Sequence, residues 1–284
     1  AVENVHHYVN TEGSRVRIPE RMIFLRARAL AQAADGMHLR DAATFHASDF
    51  DGLDPAALAR AVAELSEHTA ALARAPVGEL YSGPVLFEGA AAAQLFAEVL
   101  GGNLALTRRP VTEPGRPAAF PSSQLEGRQG ARVLPEWMDV IDDPTQTEWR
   151  GRRLFGSFLV DREGVRPQPL VIVEKGVLKN FLLTRQPVRG WNGSNGRARL
   201  PGRFGHSTAA ISNLFVRAAQ TVPAAQLRKR MAEICETRGK PYGIVVRKMD
   251  FPTSASTEEV RRLLAGARSS GQPVSLPVLV YRVW

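Results

Sequence analysis

The stretch that most constrains this chain is Gly83-Pro84-Val85-Leu86-Phe87-Glu88-Gly89-Ala90-Ala91-Ala92-Ala93-Gln94-Leu95-Phe96. Its first half is apolar and suited to a strand; its second half is rich in alanine, the strongest helix former. A strand expected over 81–87 therefore runs straight into a helix expected over 89–100, closed by Gly101-Gly102. One carboxylate, Glu88, sits at the junction. Taken by itself, it reads as a solvated carboxylate favoured by the helix dipole.

The rest of the chain surrounds this junction with strands. Residues 1–48 read as β-structure: Asn10-Thr11-Glu12-Gly13 is a turn signal, and Asp35-Gly36 marks a hairpin between 22–32 and 37–46. Asp54-Pro55 supplies an N-cap and a proline at the first helical position. Leu58, Val62, Leu65, Thr69 and Leu72 then form one apolar stripe, which predicts a helix over 54–74. A domain boundary is expected near Ala75-Pro76, dividing 1–75 from 76–284.

Beyond it, residues 103–135 are rich in Pro, Gly, Arg and Ser, as a long functional loop or lid would be. Strands are expected at 153–160, 169–175, 177–183, 212–216 and 242–249, with a Gly/Asn-rich loop over 191–205. Helices are expected over 223–238 and 257–268, the second opened by a Ser256/Glu259 capping box, and 274–284 is strand-like again. The fold class is α+β with mainly antiparallel sheets.

Composition narrows the function. Hydrophobic content of 44% and charged content of 23% are those of a globular protein. No apolar run approaches the roughly 18 residues of a membrane span. The formal charge is +9, but the basic residues are scattered, which argues against nucleic acid as the main ligand. The densest cluster, Arg228-Lys229-Arg230, shares its helix with Glu233 and Glu236 and reads as a solvated face. The single cysteine, Cys235, lies in a helical pattern and reads as a buried, inert thiol. The chain begins without Met and ends on a strand, so a piece of a longer protein is expected.

Several short runs, in order, resemble the TldD/PmbA family of metallopeptidase-related proteins. They are the 83–96 junction, Asp161-Arg162-Glu163-Gly164-Val165, Glu174-Lys175-Gly176-Val177-Leu178-Lys179, Gly193-Ser194-Asn195-Gly196-Arg197 and Ser212-Asn213-Leu214-Phe215-Val216. The resemblance implies two domains, with residues 1–75 ending the first and 76–284 forming most of a β-rich second. It also implies a cleft at their junction and a homo- or heterodimer built around a peptide chamber. A cytoplasmic location follows from it, or a periplasmic one if a leader has been removed. It carries an older label, modulator of DNA gyrase, as well.

In the catalytic branch of that family the junction reads His-Glu-x-x-x-His, with zinc on the histidines and the glutamate as general base. Here Phe87 and Ala92 occupy the histidine positions and only Glu88 is kept. Zinc hydrolysis needs about three protein ligands and an open position. The resemblance therefore implies the branch without the zinc motif: no cofactor in this chain, peptide as ligand, and a catalytic family member as partner. Glu88 is the one catalytic candidate, and Asn195, His206 and Asn213 are the substrate-binding candidates. His46 with Asp49 and Asp51 is the one short His/carboxylate cluster, but turn chemistry explains it. Two other readings stay open: a divergent metal-dependent peptidase using Glu88 with ligands elsewhere, and a basic nucleic-acid-associated module.

Overall fold

The computed structural model describes residues 1–109, 111–115, 123–201, 207–250 and 276–283. Its mainly antiparallel sheets and few helices make an α+β fold. The chain forms two compact units interleaved in sequence, one of residues 1–5, 19–95 and 222–284, the other of residues 6–18 and 96–221. The helix expected over 257–268 lies outside the described residues.

A meander of β1 (Val2–Val9), β2 (Arg15–Gln32) and β3 (His38–Ala47) follows the expected β-structure; residues 6–9 of β1 and 15–18 of β2 count with the second unit, the rest with the first. The β2–β3 hairpin is in register from Ile23↔Ala47 to Gln32↔His38. Its turn uses Gly36 at φ +86°, and the Asp35 carboxylate accepts from Met37 N–H at 3.0 Å. α1 (Pro55–Leu72) starts as its sequence predicts: Asp54 accepts from Ala56 N–H at 2.9 Å and Pro55 occupies the first turn. α1 packs on β3 and buries Leu65 and Thr69.

The first unit's second sheet has the order β14-β13-β4, with β4 (Val85–Phe87) parallel and β14 (Leu276–Val283) antiparallel to β13 (Gly243–Asp250). β13 is apolar on both faces because both are covered. On one side Val246 and Met249 pack with Ala91, Phe87 and Leu95 beside α2 (Ala90–Leu95). On the other, Val245 packs with Met231 and Cys235 of α3 (Leu227–Thr237). Cys235 is a free, buried thiol, as its helical pattern suggests. The expected helix over 89–100 is shorter than its alanines predict: after Leu95 it widens into a π-helical turn, Phe96–Leu100. Lys248 ties the sheet to β3 through an ion pair of 2.5 Å with Asp41, which is buried.

The second unit is built on a four-stranded sheet of order β12-β5-β8-β9. It comprises β5 (Met138–Asp142), β8 (Leu170–Glu174), β9 (Val177–Leu178) and β12 (Leu214–Ala218). Its core joins Leu104, Val140, Ile172, Leu178, Phe181 and Leu182. The β8–β9 turn puts Lys175 and Gly176 at φ +46° and +76°, both left-handed, as a two-residue hairpin demands. Short pairs complete the unit: β6 (Glu148–Trp149) with β7 (Arg152–Arg153), and β10 (Ala198–Pro201) with β11 (Ser207–Ala209). Most of the strand expected at 153–160 is irregular, because Phe158 N–H bonds across to the Pro144 carbonyl at 3.1 Å instead of entering a ladder.

Candidate functional site

Glu88 is positioned by its backbone first. β4 pairs with β13 up to Phe87↔Val246, and Glu88 N–H then donates to the Val246 carbonyl at 2.9 Å. Gly89 at φ +52° turns the chain into α2. This left-handed step is open to glycine at little cost, and it leaves the Glu88 side chain at the end of the strand.

The carboxylate is held there by arginine. Arg228, in the first turn of α3, donates Nε to Glu88 Oε1 at 2.9 Å and Nη2 to Oε2 at 3.2 Å. This is a two-pronged, charge-assisted pair. Arg247 of β13 approaches Oε2 from its other side, its Nε at 3.7 Å. The hydrogen bond from Arg228 holds the Glu88 carboxyl below its usual range against the opposing effect of burial, with the charges of Arg228 and Arg247 adding to it. The same hydrogen bond raises the Arg228 guanidinium. A carboxylate kept ionised by two cations is a weak proton acceptor, the opposite of the tuning a general base requires.

The neighbouring positions are committed to packing or carry no donor. Phe87 lies against Ala91, Val246 and Met249, and Ala92 offers only a methyl group. A metal implied by the family would find no ligand at either position, and Glu88 is already bound by the Arg228 guanidinium and faced by that of Arg247. Among the described residues no three His, Cys, Asp or Glu side chains converge as a metal ion would need. The residues at this junction do not fit a metal ion.

Asn195 and Asn213 both belong to a buried polar network in the second unit. Its centre is Arg197 with Asp142, both wholly buried, joined from Nε to Oδ2 at 2.6 Å. Arg197 also donates to the carbonyls of Asn195, Gln168 and Asp142 at 2.6, 2.7 and 3.1 Å. Ser212 donates its N–H to Asp142 Oδ1 at 2.7 Å and its hydroxyl to Oδ2 at 2.9 Å. The Asn195 amide accepts from Leu183 N–H at 2.9 Å and donates to the Phe181 carbonyl at 2.7 Å. The Asn213 amide donates to the carbonyls of Asp143 and Gln146 at 3.0 and 2.9 Å.

Desolvation pushes the Asp143 carboxyl up, but hydrogen bonds from Thr145 and Gln146 outweigh it and hold the group below its usual range. His206 lies outside the described residues. Asp49 serves a turn, accepting from Gly52 N–H at 3.0 Å.

Two arginines of the Glu88 cluster escape a reading of the sequence. Arg228 sits among charges that resemble a solvated face, and Arg247 in an apolar strand. Neither is near Glu88 in sequence, so no local pattern links them. Arg197 was visible only as part of the Gly-Ser-Asn-Gly-Arg run.

Residues 81–250 match the family described as PmbA/TldA metallopeptidase C-terminal domain. That is more than half of the chain, and the protein belongs to this family. A metalloprotease of Archaeoglobus fulgidus is 45% identical over 78 residues, 28% of this chain and 17% of the relative. A metalloprotease of Methanothermobacter thermautotrophicus is 42% identical over 64 residues, 22% of this chain and 13% of the relative. The matched stretches are thus a small part of those relatives.

Two solved structures share the fold. One, from Thermotoga maritima and named as a candidate modulator of a DNA gyrase, aligns at a TM-score of 0.56 and 20% identity, over 87% of this chain and 50% of that one. TldE from Thermococcus kodakarensis aligns at 0.51 and 16%, over 86% and 49%. The chain spans about half the length of each. Among the described residues no helix is long and apolar enough to cross a membrane.

Proposed function

We propose that this protein is a peptide-binding, non-catalytic member of its family that completes a two-subunit protease with a partner carrying His-Glu-x-x-x-His. The observation that supports this most is the state of Glu88, the remaining residue of the motif, which is bound by Arg228 at 2.9 and 3.2 Å and faced by Arg247. An arginine pair supplies the positive charge at this position, and Glu88 acts as its anchor. Asn195 and Asn213 act in the second unit as scaffold, fixing the loops around the Arg197–Asp142 pair.

The test is peptide hydrolysis by the purified protein, alone and mixed with a His-Glu-x-x-x-His family member. Hydrolysis by the mixture exceeding that of the partner alone, with none from this protein by itself, is the expected result. Hydrolysis by this protein alone that is lost in Glu88→Ala would instead establish a divergent peptidase.

A further inference from the structure

The pairing of β13 with β14 departs from a regular ladder at two successive positions, and the first departure aims an arginine. Its pairing with β14 steps from Val246↔Val280 to Lys248↔Leu279, so β13 advances two residues while β14 advances one. Arg247 is the extra residue of this bulge. Bulges re-aim side chains, and this one does so measurably. Val246 and Met249, three residues apart, share one buried cluster, which strict alternation would forbid. Arg247 is left outside both buried clusters, with about half of its side chain (52%) exposed.

The guanidinium so presented is oriented but unspent. Its Nε stands 3.7 Å from Glu88 Oε2, within ion-pair reach but beyond a hydrogen bond, and its Cζ is 5.9 Å from the Tyr281 ring. Glu88 gives both carboxylate oxygens to Arg228 in hydrogen bonds. The cluster of two guanidinium groups and one carboxylate therefore carries one net positive charge, located on Arg247. Among the described residues the fork of Arg247 donates no hydrogen bond. A planar fork with one unneutralised charge matches a planar, singly charged anion, and a phosphate dianion would leave one charge uncompensated.

We infer that Arg247, aimed by the β13 bulge and steadied by Glu88 and Tyr281, binds a carboxylate of the bound peptide. This inference rests on the peptide-binding reading above and assigns that site a ligand class. The carboxylate comes either from the peptide C-terminus or from an acidic side chain. Arg247 is thus a specificity residue, and Glu88 is the positioning residue behind it.

The experiment is fluorescence polarisation on the whole protein with three pools of fluorescein-labelled decapeptides. One pool has neutral side chains and a free C-terminus, the second is the same pool amidated, and the third is amidated with one internal glutamate. Loss of a charged hydrogen-bonding partner is worth about tenfold or more in affinity. If the C-terminus is read, the free pool binds about tenfold tighter than the amidated one, and Arg247→Gln removes the difference. If an acidic side chain is read, the pool with the internal glutamate binds about tenfold tighter than the other two, again only with Arg247 present.

Arg247→Lys, which keeps the charge and loses the fork, retains part of the preference in either case and shows that the glutamine variant's loss is one of recognition. Equal binding of all three pools, unchanged by Arg247→Gln, overturns the carboxylate inference and leaves peptide binding standing. Binding of none of the pools overturns both.

Discussion

Arg228 grips Glu88 from the first turn of α3, Nε to Oε1 at 2.9 Å and Nη2 to Oε2 at 3.2 Å, across 140 residues of sequence. The pair joins the first turn of one helix to the end of a strand, with residues 96–221 of the second unit between them in sequence. It also decides how the site behaves with pH.

Because the Arg228 hydrogen bond lowers the Glu88 carboxyl, the stabilisation from this pair is complete above the usual carboxylate range. It disappears as pH falls through the lowered folded value. Glu88→Gln lacks this dependence. Thermal melts of the two proteins between neutral and acid pH should show a melting-temperature gap of a few degrees at neutral pH, closing as the acid range is entered. A gap constant across the range would mean that the Glu88 carboxyl is not held low.

The Arg197–Asp142 pair tests a different link, that between a buried charge network and the fold of the second unit. Both side chains are wholly buried and bonded at 2.6 Å. Arg197→Met leaves the Asp142 carboxylate with Ser212 as its one side-chain or backbone donor among the described residues, and breaking a buried pair in this way costs about 3–5 kcal/mol. Urea denaturation of the single variant should show that loss. Arg197→Met combined with Asp142→Asn should recover part of it, since no unpaired charge then remains.

Gly176 is required twice over. Its φ of +76° disfavours any side chain, and a Cβ there would run into the carbonyl oxygens of Leu134 and Pro135. Gly176→Ala should lower stability by about 1–3 kcal/mol, read as a shift in urea midpoint at constant slope. Gly190, also at a positive φ of +84° but with open space around it, should lose less on the same change.

How much of this was legible in the sequence depends on the range of the interaction. Asp54-Pro55, Asp35-Gly36 and Lys175-Gly176 act within a few residues, and each forms the cap or turn its chemistry predicts. Alternating and striped apolar residues gave the strands and α1 for the same reason. The alanine run after Glu88 predicted one helix over 89–100, but the chain widens into a π-helical turn at Phe96, a choice no propensity encodes.

The site itself depends on contacts 140 and 159 residues apart, from Glu88 to Arg228 and to Arg247. The β13 bulge that aims Arg247 is visible only in its pairing with β14. The sequence could show that Phe87 and Ala92 carry no metal donor; it could not show which cation Glu88 faces instead.

The most direct test of the central claim is the zinc content of the purified protein, measured by plasma mass spectrometry after incubation with excess zinc and desalting. A carboxylate already bound by arginine, with no donor at positions 87 and 92, predicts less than about a tenth of a zinc per chain. About one zinc per chain, lost in Glu88→Ala, would contradict the account and make Glu88 part of a working metal site.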